Sequence, residues 1–379
     1  MKDNNILTLI LVLGIPILFL YPGSIDNYIM YFSYVLLTLL LWCATTDRDK
    51  ILIETRLDMN KVNVFLIIIL LMMIFIFSTF SVLIPNGHIG VLIPIALIMV
   101  TFIPGYSVLL ASGFRNRSTL IDIIALSYPV SIVIMAIVGI IMAYIPLNMK
   151  KVLIIALDIL LLLIALFKIT SGTRSSEKKR LIITYKHIVL AMIFIVLGFT
   201  YIRLYPALSY NLSLDIDRHY SYSLNYAIKG YTLNKFLPST YPLFYTFISN
   251  FHSLVKLTVD VYTTTTVYLN MLTVLMFYVL ASSLYGKSDY RAVVATLLWV
   301  FYPTLTWLYA LETQSSGFQS SIQLLDKVND YSFGDISWRR LLFFLPMEVA
   351  MTLTFAVIYL LTKKDINNTP LLLSLIHIS

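Results

Sequence analysis

The stretch VLIIALDILLLLIALF, residues 152–167, decides the fold class of this chain. Every residue in it is apolar except Asp158. With its flanking residues it forms a run of about 20 residues, the length that an α-helix needs to cross the hydrocarbon core of a bilayer. A charge inside such a helix costs about 2.5–3.5 kcal/mol on insertion scales. Because no basic residue is evident near Asp158 in the sequence, we expect its carboxyl group either to be protonated or to pair with another helix.

The composition extends this conclusion to the whole chain. Of the 379 residues, 59% are hydrophobic and 12% are charged, whereas a soluble domain carries about 25% charged residues. The excess apolar surface requires lipid as its solvent. We therefore predict an all-α polytopic membrane protein in the cell membrane. Its ten predicted spans are residues 5–22, 27–45, 63–85, 89–111, 120–146, 151–170, 185–205, 260–285, 291–311 and 341–362.

The net charge of +8 is explained by the positions of Lys and Arg in the loops. Successive loops are expected on alternate sides of the membrane. The loops on one side hold 17 basic residues, while the short loops on the other side hold only Lys150 and Lys151. Cytoplasmic loops carry such an excess, so the N-terminus is predicted to be cytoplasmic and the long loops 206–259 and 312–340 extracytoplasmic. No basic patch is interleaved with stacking aromatic residues, so nucleic acid is not an expected partner.

The chain is expected to divide at the basic linker 171–184. An N-terminal block of six spans, residues 1–170, precedes this cytoplasmic linker, and the start of a second membrane core, residues 185–372, follows it. The last seven residues, LSLIHIS (373–379), match the translation of a sequencing-library adapter. We interpret them as an artefact and expect the natural chain to continue beyond residue 372.

Residues 212–230, LSLDIDRHYSYSLNYAIKG, place an acid pair at the start of an amphipathic helix within loop 206–259. Apolar residues recur at helical spacing over residues 214–229. Asp215 fits an N-cap and Asp217 a first-turn acid favoured by the helix dipole. If Asp215 is still extended, both carboxylates can instead turn toward one Mg²⁺ or Mn²⁺, a hard cation that takes carboxylate and phosphate oxygens.

Basic residues surround this acid pair. Arg218 and His219 follow it directly, and a guanidinium group binds phosphate oxygens bidentately. Arg203 and Lys235 lie in the same loop or at its edge. The combination predicts a site for a lipid-linked phosphate, with a divalent metal at Asp215 and Asp217.

The order of these motifs resembles the GT-C glycosyltransferases, membrane enzymes that use polyprenyl-phosphate sugars. The resemblance covers residues 185–311: a span, the acid pair Asp215-Ile216-Asp217, an amphipathic helix, and a segment STYPLFYTFISNFHSLVKL (239–257) that leads to span 260–285. The segment YGKSDYRAVVATLLWVFYPTLTW, with its late Pro303, is similar to the family's next turn and helix. The N-terminal FIPGYSVLLASGF (102–114) resembles an archaeal membrane domain of unknown function.

The resemblance implies the roles of the site residues. Asp215 or Asp217 would bind a metal or deprotonate the hydroxyl group of the acceptor, and Arg218 or the metal would offset charge on the departing polyprenyl phosphate. The expected reaction is hexosyl or pentosyl transfer with inversion, from the lipid-linked donor to an acceptor of unknown identity in the cell envelope. Glu312, at the outer end of span 291–311, and Glu348, near the outer third of span 341–362, are possible additional acids.

Two other classes of function remain open at this stage. A flippase for lipid-linked glycans, or another polytopic transporter, is favoured by Asp158 and by the prolines Pro94 and Pro104 that interrupt the fourth span, because transporters place charges and broken helices inside the membrane. A non-catalytic assembly subunit is the third alternative. The long acidic loop argues for the enzyme.

Overall fold

The structure is a computed structural model that describes residues 51–83, 92–114, 119–142, 145, 147–171, 178–184, 191, 220–225, 242–255, 258–285, 291–301 and 346–362. These residues are nearly all helical. Two strands, β1 and β2, span Ile51–Asp58 and Lys178–Thr184. The helices are α1 (Met59–Leu83), α2 (Leu92–Thr101), α3 (Ile103–Ala111), α4 (Leu120–Met142), α5 (Leu147–Ser171), α6 (Pro242–Leu254), α7 (Val259–Tyr285), α8 (Arg291–Phe301) and α9 (Pro346–Thr362).

Five stretches among the described residues are helical, long and apolar enough to cross a membrane. They are Met59–Ser81, Leu92–Ala111, Leu120–Met142, Met149–Ser171 and Tyr268–Tyr285. The general prediction of a helical membrane protein is thereby confirmed, and these stretches match five of the ten predicted spans. Spans 5–22 and 27–45, and all of span 185–205 except residue 191, lie outside the described residues. Only part of each of the predicted spans 291–311 and 341–362 is described, as the shorter helices α8 and α9.

Strands β1 and β2 pair in a two-stranded sheet, whereas no strand was predicted for either segment. Strand β1 lies in a predicted loop, and β2 lies in the predicted linker 171–184. In β1, Ile51, Ile53 and Leu57 alternate with the charged residues Glu54, Arg56 and Asp58, the period of two that a strand with two different faces requires. The predicted division into an N-terminal block, a linker and a second core stays a prediction.

Asp58 ends β1 and caps α1. Its Oδ1 atom accepts hydrogen bonds from the backbone N–H groups of Asn60, at 3.0 Å, and Lys61, at 3.2 Å. These groups have no partner within the helix, so an aspartate at this position satisfies them. The cap explains why the helix begins at Met59, four residues before the predicted span.

The described residues belong to two compact units. One unit is drawn from residues 56–179, 213–265 and 345–379, and it contains α1 to α6, α9 and the beginning of α7. The other is drawn from residues 1–55, 180–212 and 266–344, and it contains the rest of α7 together with α8. In the second unit the rings of Phe277 and Trp299 stack with centroids 4.7 Å apart, which joins these two helices.

Helix α4 is the centre of the first unit. Its most apolar stretch is 72% buried, compared with 22% for α1 and 28% for α5, and it packs against α2, α3, α6 and α9. The outer sides of α1 and α5 carry exposed Phe, Ile, Leu and Met side chains such as Phe75 and Phe167. Because exposed apolar surface of this extent is unfavourable in water, these sides are suited to contact with lipid.

The helix pair α2–α3 forms one span with a break at Phe102. This residue has φ −124° and ψ −51°, and Pro104 in the first turn of α3 has no N–H group to continue the helical bonding. The backbone N–H of Gly105 instead donates to the side-chain oxygen of Ser131 on α4, at 2.8 Å. Any Cβ at Gly105 would lie 2.0 Å from the carbonyl oxygen of Ser127, so the close packing of α3 on α4 requires glycine here.

Candidate functional site

Most of the predicted site residues lie outside the part of the chain that the structure describes. This applies to Arg203, Asp215, Asp217, Arg218, His219, Lys235 and Glu312. Glu348 lies in the first turn of α9, but its side chain is likewise outside the description. Their predicted roles therefore stay predictions, and the structure informs the site through the residues that follow the acid pair.

Residues 220–225, which follow His219 in the sequence, are helical. Ser221 and Asn225 are exposed, whereas Tyr220 and Leu224 are half-buried. These four residues have the polar and apolar faces that the amphipathic pattern predicted. The remainder of the predicted helix 214–229 lies outside the described residues.

Two tyrosine pairs hold this short helix against the rest of its unit. Tyr220 meets Tyr262 at the beginning of α7 edge to face, with ring centroids 5.7 Å apart. Tyr222 meets Tyr245 on α6 in a tilted arrangement at 5.5 Å. Aromatic pairs in such geometries contribute about 0.5–1.5 kcal/mol beyond the burial of their area. The chain is therefore fixed at two points within three residues of His219.

Ser223 is the most deeply placed residue of the short helix. Its side chain is fully buried, and its hydroxyl group has no hydrogen-bond partner among the residues that the structure describes. Ser223, which stands between Tyr222 and Leu224, was not among the predicted site residues. The signal that could have found it is its spacing of three from Tyr220, which places both residues on one face of a helix. A buried hydroxyl without a partner costs about 1–3 kcal/mol.

Helix α6, which carries Tyr245, packs against α2, α4 and α5. Eight consecutive residues of this helix, from Phe244 to Phe251, are buried. The buried polar residues in it have partners. Thr246 and Ser249 donate hydrogen bonds to carbonyl groups of their own helix, and Asn250 donates to the carbonyl group of Met135 on α4.

Polar side chains also lie inside the group formed by α1, α3 and α5. The hydroxyl group of Tyr106 on α3 donates a 3.0 Å hydrogen bond to Oδ1 of Asn63 on α1, and both residues are buried. On α5, Asp158 is fully buried, and Lys150 is buried two turns earlier on the same side of the helix. Asp158 therefore points into the protein and away from lipid.

The described residues contain no group of three His, Cys, Asp or Glu side chains that could hold a metal ion. The predicted metal ligands, Asp215 and Asp217, are outside that set. Comparison of the chain with protein-family models, with curated proteins and with solved structures finds no match. The function is consequently argued from the residues alone.

Proposed function

We propose that the chain is an integral membrane glycosyltransferase of the GT-C type, multi-pass in the cell membrane, with its active site on the extracytoplasmic face. It transfers a sugar from a polyprenyl-phosphate carrier to an acceptor. The proposal rests on the resemblance of residues 185–311 to that family. The orientation rests on the distribution of Lys and Arg.

The observation that carries the proposal is the fixed position of the short helix 220–225. A catalytic group must be held within reach of the reacting atoms, because correct placement lowers the barrier of a transfer reaction. The tyrosine pairs Tyr220–Tyr262 and Tyr222–Tyr245 anchor the chain immediately after the segment Asp215–His219. This supports the interpretation of that segment as a functional loop with a rigid attachment on one side.

In the proposed reaction, Asp215 or Asp217 accepts the proton of the acceptor hydroxyl as its oxygen attacks the anomeric carbon. The bond from that carbon to the polyprenyl phosphate breaks, and the configuration inverts. Arg218 and His219, with Arg203 and Lys235, bind the phosphate oxygens and stabilise the charge of the leaving group. A divalent metal at the two aspartates would add to this stabilisation, and Glu312 and Glu348 are the remaining acids of the proposed site.

The test is transfer of a radiolabelled sugar from polyprenyl-phosphate donors in membranes of cells that express the complete gene. We expect Asp215→Asn or Asp217→Asn to lower transfer about 10²–10⁴-fold, the usual contribution of a general base. Ser221→Ala is the matched control, because Ser221 is exposed on the neighbouring helix. Loss of transfer with EDTA would assign a metal, and full transfer in both aspartate variants would refute the proposed site.

A polytopic transporter, such as a flippase for lipid-linked glycans, is the second candidate. The observation that favours it is the buried Asp158 on a membrane-spanning helix, in the same unit as the span α2–α3, which is broken at Phe102. Ionisable groups and interrupted helices inside the membrane are common in transporters. Unchanged sugar transfer in the Asp215→Asn and Asp217→Asn variants would favour the transporter over the glycosyltransferase.

A further inference from the structure

Asp158 is a fully buried acid in the middle of a membrane-spanning helix. Its side chain has 0% exposure, and neither carboxyl oxygen has a hydrogen-bond partner among the residues that the structure describes. At a rise of 1.5 Å per residue, it lies about 16 Å from the beginning of α5 and about 20 Å from its end. A side chain as short as aspartate cannot reach water over either distance.

The burial pattern of α5 shows which way Asp158 faces. The buried residues recur every three or four positions and are Lys150, Ile154, Asp158, Leu162, Ala165 and Ile169. The opposite side, with Leu160 at 55% exposure and Leu163 at 48%, is exposed. Asp158 thus lies on the stripe that packs against α1, α3 and α6. The acid is held inside the protein, where ionisable groups in membrane helices most often serve a function.

The titratable side chains around this stripe do not pair with Asp158. On the elements packed against α5 they are Lys61 on α1, Tyr106 on α3, and Tyr245 and His252 on α6. On α5 itself, Lys151 places its ammonium group 5.3 Å from the ring centre of Phe77. Lys150 is eight residues away, which is about 12 Å along the helix. None of these groups bonds to the carboxyl oxygens of Asp158.

An ionised carboxylate without a partner is strongly disfavoured in a protein interior, even after relaxation. A neutral carboxylic acid avoids most of that cost. Two further buried polar atoms without partners lie on helices that pack together with α5, namely Nδ2 of Asn63 and Oγ of Ser107. They make the region between α1, α3 and α5 more polar than a surface that faces lipid. The described residues nevertheless place no cation within bonding distance of the Asp158 carboxyl group.

We propose that the carboxyl group of Asp158 is a proton-binding site inside the membrane-spanning part of the protein. Its ligand is a proton, taken up as the carboxylate becomes a neutral acid. The role requires no residue of the proposed glycosyltransferase site. It is therefore independent of that function, and it provides the kind of group that proton-coupled transport uses.

Labelling by dicyclohexylcarbodiimide tests this site in the full chain reconstituted into lipid vesicles. The reagent reacts with a protonated carboxyl group in an apolar environment. The carboxylic acid adds across one C=N bond of the carbodiimide, so that a carboxyl oxygen bonds to the central carbon and the proton moves to a nitrogen. Mass spectrometry of the peptide that contains Asp158 gives the labelled fraction. Asp122 is an internal control, because it is also buried but its Oδ2 accepts a hydrogen bond from the N–H of Thr119 at 2.9 Å.

At pH 7.5 an ordinary aspartate, with a pKa of about 3.9, is ionised. We expect Asp158 to be labelled at least ten-fold more than Asp122 at this pH, with no effect of 100 mM Na⁺, and we expect Asp158→Asn to abolish the label at that peptide. Equal labelling of the two aspartates, or no label at Asp158, would overturn the proposal. Protection by Na⁺ would overturn it as well, because the site would then bind a sodium ion instead of a proton.

Discussion

The side-chain amide of Asn250 donates a hydrogen bond to the main-chain carbonyl of Met135, one helical turn from the point where Gly139 faces Thr246. The two contacts run in opposite directions along the chain, from 135 to 139 on α4 and from 250 to 246 on α6. The helices are therefore antiparallel at this interface. A residue of the predicted loop 206–259, which lies on α6 in the structure, is thus attached directly to the central helix of the first unit.

Asn250→Leu should remove this hydrogen bond and lower the free energy of unfolding by about 0.5–1.5 kcal/mol. Unfolding in mixed detergent micelles provides the measurement. Thr354→Val is the control, because Thr354 is exposed and its hydroxyl bonds only to the carbonyl of Ala350 on its own helix. An equal loss in both variants would contradict the importance of the contact between α4 and α6.

Gly139→Ala should destabilise the same interface, because a Cβ there would lie 2.7 Å from the carbonyl oxygen of Thr246. Overpacking of this kind typically costs about 1–3 kcal/mol. Gly105→Ala should cost at least as much, since the atom it meets, the carbonyl oxygen of Ser127, is 2.0 Å away and belongs to the backbone. Ile137→Ala, at an exposed position of α4, is the control in the same thermal melts; a melting temperature that falls as far for Ile137→Ala would refute the argument.

The two faces of α5 should respond differently to the same substitution. Leu162 is fully buried and Leu160 is 55% exposed. Leu162→Ala should lower the free energy of unfolding by about 2–5 kcal/mol, the range for a buried leucine, whereas Leu160→Ala should change it by about 0.5 kcal/mol or less. Denaturation of the two variants in one detergent gives the comparison. A larger loss for Leu160→Ala than for Leu162→Ala would refute the assignment of the buried face of α5, and with it the orientation of Asp158.

The tyrosine pairs beside the proposed site should be energetically coupled. In a double-mutant cycle with Tyr222→Leu and Tyr245→Leu, we expect a coupling energy of about 0.5–1.5 kcal/mol. Tyr106, whose ring stacks on Phe102 at 5.0 Å, supplies the control cycle with Tyr222, in which the two effects should add. Additive effects in the Tyr222–Tyr245 cycle would show that this contact does not hold the short helix.

The sequence predicted those features that depend on local composition. Apolar runs of the right length located the five spans that the structure describes, and helical spacing gave the exposed positions of Ser221 and Asn225. The face of α5 could not be predicted, because residues 152–167 are apolar on all sides apart from Asp158. Only the packing of α1, α3 and α6 against this helix distinguishes Leu160 from Leu162.

Features that depend on distant partners were missed for the same reason. Nothing in the local sequence indicates that the polar residues Thr246, Ser249 and Asn250 of α6 are buried. Their burial is possible because two of them bond within the helix and Asn250 bonds to Met135, 115 residues earlier in the chain. Likewise, β1 was assigned to a loop because its charged residues are typical of loops, and its partner β2 begins 120 residues after Asp58.

The pairing of β1 with β2 limits how the chain can thread through a bilayer. Hydrogen-bonded strands outside the hydrocarbon core must be on the same side of it, so the number of crossings between Asp58 and Lys178 must be even. The helices α1, α2–α3, α4 and α5 supply four candidates. If any one of them failed to cross, the two strands would end on opposite sides of a core about 30 Å thick. This small sheet thus requires that an even number of the helices between its strands cross the membrane.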